Sequence, residues 1–532
     1  MPFPIRICTN DEMKEVDASA QIDSGISQDV LMENAGHAAV EVILERFPSA
    51  GRDTDVLVFA GKGNNAGDAF VVARRLHCLE RRVRIFMLGP PSSLTGSARK
   101  NHDLLFKMKA KIIQIENTAE LEAFVSSASG PFTVVDGLLG TGLKGDLDGI
   151  YYDAVSIINR LDAREVISLD IPSGVSGDTG LVHGTSVLAT LTVTFGFPKL
   201  GHFLPPGAAR RGELVCADIS LPSRYRFEGD KFLLTKTQMS TLVKERDRYG
   251  HKNSFGHTLL VGGSPGHLGA VAMAAGACHR MGTGLVTVAT WDDCFEALQA
   301  KISDQTMILP PRDNNGISVT PESISPFSCV VAGPGLGTRP GAEKLIKDML
   351  MEYRGPVVLD ADALNLVSRH QMHEMLRGRP YPKILTPHPG EMARLLGCSK
   401  DEVKLDPVGA VRRAVELTHC VVVLKGAATL ISSTEEKIFL NHYPNDGMAT
   451  AGSGDVLSGM IGGLVGQGMD AFDAARLGVF LHSLAGDLAA RQHGHRGMTA
   501  PDMIGNIGNA FNELKKAAHP AQQALEIRTN IL

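Results

Sequence analysis

Two apolar rhythms alternate along the chain: short runs closed by turn residues, and longer stretches in which apolar positions return at helical spacing. Leu31, Met32, Ala35, Ala38, Ala39, Val42 and Ile43 mark one face of a helix predicted over Ser27–Phe47, after a shorter one over Asp11–Ala20. Strands are predicted at Val56–Ala60, Val83–Leu88, Lys111–Ile115, Phe132–Val135, Val166–Leu169, Leu191–Phe195 and Leu214–Ala217. Most are separated by helix-length segments, the sequence form of βαβ units. A doubly wound, mostly parallel sheet follows.

The rhythm breaks between Ser220 and Asn253, a polar stretch without a clear sheet strand, which is the expected seam. A second strand series runs through Thr258–Val261, Leu285–Ala289, Cys329–Ala332, Val357–Leu359, Lys383–Leu385, Val421–Leu424 and Lys437–Leu440. Helices are predicted over Val456–Gln467, Ala471–Gln492 and Asp502–Lys516. The expected organisation is an α/β domain over residues 1–222 and a second over 223–532.

Composition narrows the class without naming a chemistry. A chain of 532 residues is too long for one core, and 43% hydrophobic with 21% charged residues fits a soluble α/β protein. The net charge of −5 argues against a general binder of nucleic acid or anionic membrane, so any phosphate site must be local. The eight cysteines are scattered without a metal-like spacing, which suits a reducing compartment. With no signal-like N-terminus and no apolar run of about 20 residues, a cytoplasmic protein is expected, with homo-oligomers as its assembly.

In the first unit, the strand ending at Ala60 runs into Gly61-Lys62-Gly63-Asn64-Asn65-Ala66-Gly67-Asp68. A Gly-rich turn between strand and helix presents backbone donors to phosphate, although a plain turn is the competing reading. The asparagine carbonyls also suit a hard cation or an amide-bearing ring. Asp136, in Val134–Asp146, and Asp170, in Leu169–Gly174, end two further strands, where ligands of open parallel sheets collect. Either carboxylate can serve a ligand or merely cap its turn.

Together LMENAG (Leu31–Gly36), GKGNNAGD (Gly61–Asp68), VVDGLLGTG (Val134–Gly142) and LDIPSG (Leu169–Gly174) resemble the NAD(P)H-hydrate epimerase domain, a Rossmann-like three-layer α/β/α fold. The resemblance implies that Asn64, Asn65, Ala66, Gly67 and Asp68, with Gly140, Thr141, Gly142, Leu143, Lys144, Gly145 and Asp146, hold the damaged nicotinamide nucleotide. It further implies a potassium ion on Asn65, Asp136 and Ser173, with Asp170 at the epimerised carbon. The family's loop reads NNGGD, so Ala66 is a departure, and a costly one if the position requires positive φ.

In the second unit the strand ends again collect polar motifs. They include Gly333-Pro334-Gly335-Leu336-Gly337, Asp360-Ala361-Asp362, His388-Pro389-Gly390-Glu391, Lys425-Gly426-Ala427-Ala428-Thr429 and Ala449-Thr450-Ala451-Gly452-Ser453-Gly454-Asp455. The last is a glycine-rich loop feeding a helix, hence an anion site with a carboxylate beside it. Lys425 suits a phosphate as a point charge, and Asp360 and Asp362 suit Mg²⁺ through water or simply cap a helix. His388 is either aimed at a ligand or satisfied by backbone. His493 and His495 read as a solvated helix end, since no third ligand accompanies them.

HPGE, KGAAT and GSGDVLSG in this order resemble the ADP- or ATP-dependent NAD(P)H-hydrate dehydratase, a ribokinase-like fold, over about residues 230–515. The resemblance implies Ala270, Gly335 or Gly337, His388 and Asp455 at the hydrated nucleotide. Lys425, Gly426, Ala427, Ala428, Thr429 and Gly454 would hold the adenine nucleotide. Asp446 and Ala451 depart from the family's NPGMATGGSGD.

The combined reading is a bifunctional repair enzyme for hydrated NADH and NADPH. One domain interconverts the C6 epimers through Asp170; the other phosphorylates the C6 hydroxyl with Asp455 as base and expels phosphate. Expected cofactors are K⁺, Mg²⁺ and ADP or ATP; fusion of the domains favours ADP by resemblance. The alternative is a sugar or vitamin-precursor kinase joined to a non-catalytic nucleotide-binding or scaffold domain.

Overall fold

A computed structural model describes residues 5–127, 130–143, 145–311, 316–317 and 319–516. Two compact units divide between Gly229 and Asp230.

The N-terminal unit has a wholly parallel sheet in the order Ile112–Ile115, Val83–Leu88, Asp55–Ala60, Phe132–Gly137, Ala163–Leu169, Leu191–Phe195, Glu213–Ala217. Both faces are covered, as the alternation within one strand shows. Val56, Val58 and Ala60 pack with Leu31, Ala35 and Phe70 on one side, whereas Leu57 and Phe59 pack with Leu121, Ala154 and Ile158 on the other. The result is a three-layer α/β/α arrangement. The order reverses beside Asp55–Ala60, so that strand's carboxyl end opens a crevice where ligands of such sheets bind.

Ala66 carries no backbone strain. It belongs to the helix Asn64–Cys78, it is absent from the positions with positive φ, and it is fully buried in the core. The expected penalty for alanine there does not arise, because the motif is the first helical turn rather than a left-handed loop.

In the C-terminal unit the sheet runs Lys231–Leu233, Ile438–His442, Ala428–Ser432, Val421–Leu424, Lys383–Leu385, Val357–Leu359, Cys329–Ala332, His257–Val261, Leu285–Ala289, Met307–Ile308. Its pairs are parallel except on either side of Ala428–Ser432. Three strands differ from the sequence expectation, among them the two-residue Met307–Ile308, which no strand was expected to include. Lys231–Leu233 lies inside the stretch read as strandless, and a three-residue strand is too short to leave a periodic signal. Ala428–Ser432 takes up the end of the KGAAT motif, leaving Lys425-Gly426-Ala427 as a tight hairpin turn. The helices Leu268–Arg280, Ser453–Gly466, Ala471–His493 and Ala500–Lys516 bury apolar faces in the main core of this unit. Among the described residues no helix is long and apolar enough to cross a membrane.

Candidate active sites

Register builds the N-terminal site. The pairing of Phe132–Gly137 sets Asp136 between Phe59 and Ser168, and Ser168 donates to its Oδ2 at 2.8 Å. Ser173 donates to the same carboxylate through its Oγ at 2.6 Å and its N–H at 2.9 Å. Burial pushes the Asp136 carboxyl up despite these donors. Asn65 Nδ2 donates to the Leu139 carbonyl at 2.9 Å, and Ser173 Oγ lies 3.1 Å from that oxygen. Asn65 Oδ1 is buried without a hydrogen-bond partner among the described residues. Asn65, Ser173 and the Leu139 carbonyl thus converge on a small oxygen-lined place.

Around it lies a cavity of about 560 Å³. Asn64, Asn65, Asp68, Gly140, Thr141, Gly142 and Asp170 line it, so much of the expected substrate set comes together. Ala66 and Gly67 do not line it. Ala66 is core, and a Cβ on Gly67 would come within 2.4 Å of the Met32 side chain. Leu143 packs beneath the sheet, Gly145 lies outside the lining, Asp146 faces His183 at 3.5 Å, and Lys144 lies outside the described residues. The helix Asn64–Cys78 starts on Gly63 with no side-chain cap, so its first N–H groups stay open to an anion.

Two residues that the sequence reading passed over complete this site. Asp170 follows the strand Ala163–Leu169 with φ +64, and its carboxylate is ion-paired to the buried Lys199. The ammonium also donates to Thr194 Oγ1 at 3.1 Å and the Phe195 carbonyl at 3.2 Å. Burial alone would raise the Asp170 carboxyl, but Lys199 holds it below the usual range. His202 accepts the Lys199 N–H on Nδ1 at 3.0 Å, which leaves its Nε2 to donate to the Asp170 carbonyl at 2.9 Å. Burial pushes that imidazole down to about 3, so it stays neutral in this role. The second residue is Asp17, from the helix Asn10–Ser24, on the same cavity wall. Burial raises its carboxyl to about 6, and burial with the charges of Asp170 and Asp17 drives Asp68 well above the carboxylate range. Lys199 sits in a strand-end loop of the kind that drew attention elsewhere. Asp17 sits one helical turn from the buried Met13, an acidic residue at apolar spacing.

The C-terminal site is organised by Lys425. Its Nζ lies 2.6 Å from Asp360 Oδ1 and 3.9 Å from Glu391 Oε2. A Cβ on Gly454 would come within 3.3 Å of it. Gly454 therefore lets the ammonium approach the start of Ser453–Gly466, a helix whose N-cap Gly452 has φ +94 and no side-chain cap. The left-handed position is Gly452, and Ala451 is not among the positive-φ residues. A cation beside the positive end of a helix requires an anion. Asp360 supplies one, and a phosphate would be a second.

Asp455 stands in the first turn of that helix, where burial and then Asp360 lift its carboxyl to about 6. Burial raises Glu391 to about 7 against the pull of Lys425. Burial also opposes charge on Lys425, yet Asp360 and Glu391 hold its ammonium above the ordinary value.

His388 caps the helix Pro389–Leu396. Its Nδ1 accepts from Gly390 and Glu391 at 2.9 and 3.3 Å, and Glu391 reciprocates on the His388 N–H at 2.8 Å. Burial and Lys425 press its pKa down, so a neutral ring suits the cap. Gly335, φ +60, packs against Ala270, a Cβ there falling 3.1 Å from the alanine Cβ. Gly337 donates to Asp362 Oδ2 at 2.8 Å, Asn365 binds the other oxygen at 3.3 Å, and Arg394 donates to Asn365 at 2.9 Å. That chain ends in a polar pocket of about 530 Å³ lined by Thr338, Asn365, Ser368, Arg369 and Arg394, which no motif announced. Gly426 and Ala427 are exposed at the hairpin tip, Ala428 is half-buried, and Thr429 is buried with its hydroxyl on the Gly426 carbonyl at 3.1 Å. His493 and His495 face Asp502 and Asp446 at 3.5 and 2.6 Å. Among the described residues no group of three or more His, Cys, Asp or Glu side chains is placed to hold a metal ion.

Fold and sites define a protein of two α/β units, each gathering its polar loops at the carboxyl ends of a mostly parallel sheet, the place where nucleotides bind in such folds. A family model described as NAD(P)H-hydrate dehydratase matches residues 258–509, and one described as YjeF-related protein N-terminus matches residues 28–201. A bifunctional NAD(P)H-hydrate repair enzyme of Moorella thermoacetica is 39% identical over 518 residues, covering 96% of this chain and 97% of its own. Its counterpart in Coxiella burnetii is 37% identical over 501 residues, with 94% and 98% covered. A crystal structure of the ADP/ATP-dependent NAD(P)H-hydrate dehydratase of Bacillus subtilis, co-crystallised with ATP/Mg²⁺, is 24% identical. It covers 53% of this chain and 97% of its own, with a TM-score of 0.46. The chain belongs to the family of bifunctional NAD(P)H-hydrate repair enzymes.

Proposed function

We propose that this chain restores hydrated NADH and NADPH, its N-terminal unit interconverting the R and S forms at C6 and its C-terminal unit dehydrating the S form at the expense of ADP or ATP. The observation that carries the reading is the half-buried Asp455 at an uncapped helix N-terminus beside the Lys425–Asp360 pair. Asp455 takes the proton of the C6 hydroxyl as that oxygen attacks the terminal phosphorus. The N–H groups of Gly452 to Gly454 and the Lys425 ammonium stabilise the charge gathering on the phosphoryl oxygens. Phosphate then departs with the C6–O electron pair and C5 loses a proton, which restores the ring double bond. ADP leaves as AMP. The Thr338–Arg394 pocket, continuous with the Gly337 loop, suits the phosphate-bearing half of the hydrated nucleotide.

Potassium fits the N-terminal site. Asn65 Oδ1 lacks a partner next to the Leu139 carbonyl and Ser173 Oγ, with Asp136 behind them, a set of hard oxygens suited to a monovalent cation. When bound, such an ion would tie the Leu138–Gly142 loop to the helix Asn64–Cys78 at the cavity floor. Mg²⁺ does not fit Asp360 and Asp362 as they stand: Asp360 is held by Lys425, and Asp362 by Gly337 and Asn365. A nucleotide phosphate is the place for it. The eight cysteines are all free, in keeping with a cytoplasmic setting; a homo-oligomer is the accompanying expectation, checked by light scattering.

The test is recovery of reduced-nicotinamide absorbance from each separated epimer, with ADP or ATP, alongside an assay for free phosphate. Absorbance returning with one phosphate released per hydrate supports the reading. A phosphorylated product without absorbance points instead to a small-molecule kinase.

A further inference from the structure

The N-terminal cavity holds more acid chemistry than the family motifs account for. Asp68, in the helix Asn64–Cys78, and Asp170, just after the strand Ala163–Leu169, belong to segments named by those motifs, whereas Asp17 precedes the matched residues 28–201 and comes from a different element, the helix Asn10–Ser24. Asp17 lines the cavity, and its Oδ1 is buried without a hydrogen-bond partner among the described residues. A carboxyl oxygen stripped of water and left unbonded is costly to maintain. Such an atom becomes satisfied when a ligand hydroxyl or amide enters.

We propose that Asp17 is a second catalytic carboxyl of the epimerase, acting as general acid on the C6 hydroxyl of the hydrated ring. This inference rests on the proposed epimerisation. Loss of hydroxide from C6 is slow because hydroxide is a poor leaving group. With Asp17 protonated, the C6–O bond breaks, its electron pair stays on oxygen, and the Asp17 proton makes that oxygen water. The ring nitrogen lone pair forms the N1=C6 double bond. Water then adds to C6 from the opposite face, returning the pair to N1. Its proton passes to Asp170, which Lys199 keeps ionised, and exchange with solvent resets both carboxyls.

The electrostatics agree. Burial raises the Asp17 carboxyl to about 6, Lys199 pulls it down and Asp170 pushes it up. Asp68 across the cavity is raised further, and Lys14 and Lys62 stand at the rim. Asp17 is thus the cavity acid that both holds and releases a proton near neutrality.

The experiment measures R to S interconversion of hydrated NADH by the full chain across pH, for wild type, Asp17→Asn and Asp17→Glu, with binding of an intact nicotinamide nucleotide measured in parallel. Asp17→Asn is expected to lose at least about 100-fold in interconversion rate while binding the nucleotide within about threefold of wild type. Asp17→Glu should regain at least about tenfold of that loss, and the fall in wild-type rate above about pH 6 should move with it. An Asp17→Asn protein that interconverts within about threefold of wild type overturns the proposal. So does a variant whose loss tracks lost binding and is not recovered by Asp17→Glu. Absence of interconversion in the wild-type protein instead defeats the epimerase reading on which it stands.

Discussion

The Lys425 ammonium lies 2.6 Å from the Asp360 carboxylate, a group that is 1% exposed. This pair, closed over by Gly454 at the head of Ser453–Gly466, holds the lysine expected at the nucleotide inside the C-terminal site. Its charge neutralises Asp360, so the uncapped N–H groups at the head of that helix can meet an incoming phosphate without an unpaired carboxylate at this position.

Removing the lysine strands Asp360. Lys425→Met is expected to lower the stability of the C-terminal unit by about 3 kcal/mol, read from its unfolding transition. The double variant with Asp360→Leu should recover most of that loss while remaining inactive. A double variant as unstable as the single one would show that packing, not charge, makes the difference.

Asp455 links rate and stability in opposite directions. As base it must be ionised, so dehydration should rise with pH through about 6 and then level. Its folded pKa lies above that of an ordinary aspartate, so the stability it contributes is complete below about 4 and is lost as pH rises through about 6. Asp455→Asn should therefore abolish dehydration, retain nucleotide binding, and stabilise the protein by about 1 kcal/mol at pH 8, after allowing for partial exposure. That gain should vanish near pH 4. Thermal melts at both pH values, beside calorimetric nucleotide titrations, check the three parts.

Asn65 is expected to confer the potassium response. Exchange of K⁺ for a bulky organic cation should slow wild-type epimerisation about tenfold or more, whereas Asn65→Ala should already be slow and indifferent to the exchange. An Asn65→Ala enzyme that keeps the wild-type response would remove Asn65 from the ion site.

Neither alanine departure, Ala66 or Ala451, has a left-handed backbone, whereas Ala361, which departs from no motif named above, does at φ +46. Ala361→Gly is expected to gain up to about 1 kcal/mol, and Ala66→Gly to lose about 1 kcal/mol from a buried helical turn without slowing turnover in saturating substrate. Urea unfolding with epimerase kinetics distinguishes the two.

The strand series and the loops at Asn64–Asp68, Asp136, Asp170, His388, Lys425 and Asp455 were legible along the chain, since alternation, turn residues and strand-to-helix order are local properties of consecutive residues. The face each side chain takes was not. Ala66 and Gly67 share a motif with Asn65 and Asp68, but one helical turn sends its side chains to different faces, so that Ala66 and Gly67 enter the core. Protonation and pairing were beyond the sequence, because they depend on which distant groups share one low-dielectric space. Lys199 reaches Asp170 across 29 positions, Lys425 reaches Asp360 across 65, and Asp17 meets both Asp170 and Lys199 from a helix that no motif marks. The order of residues supplied the groups, while the packing of strand ends and helices chose which carboxyls keep their protons.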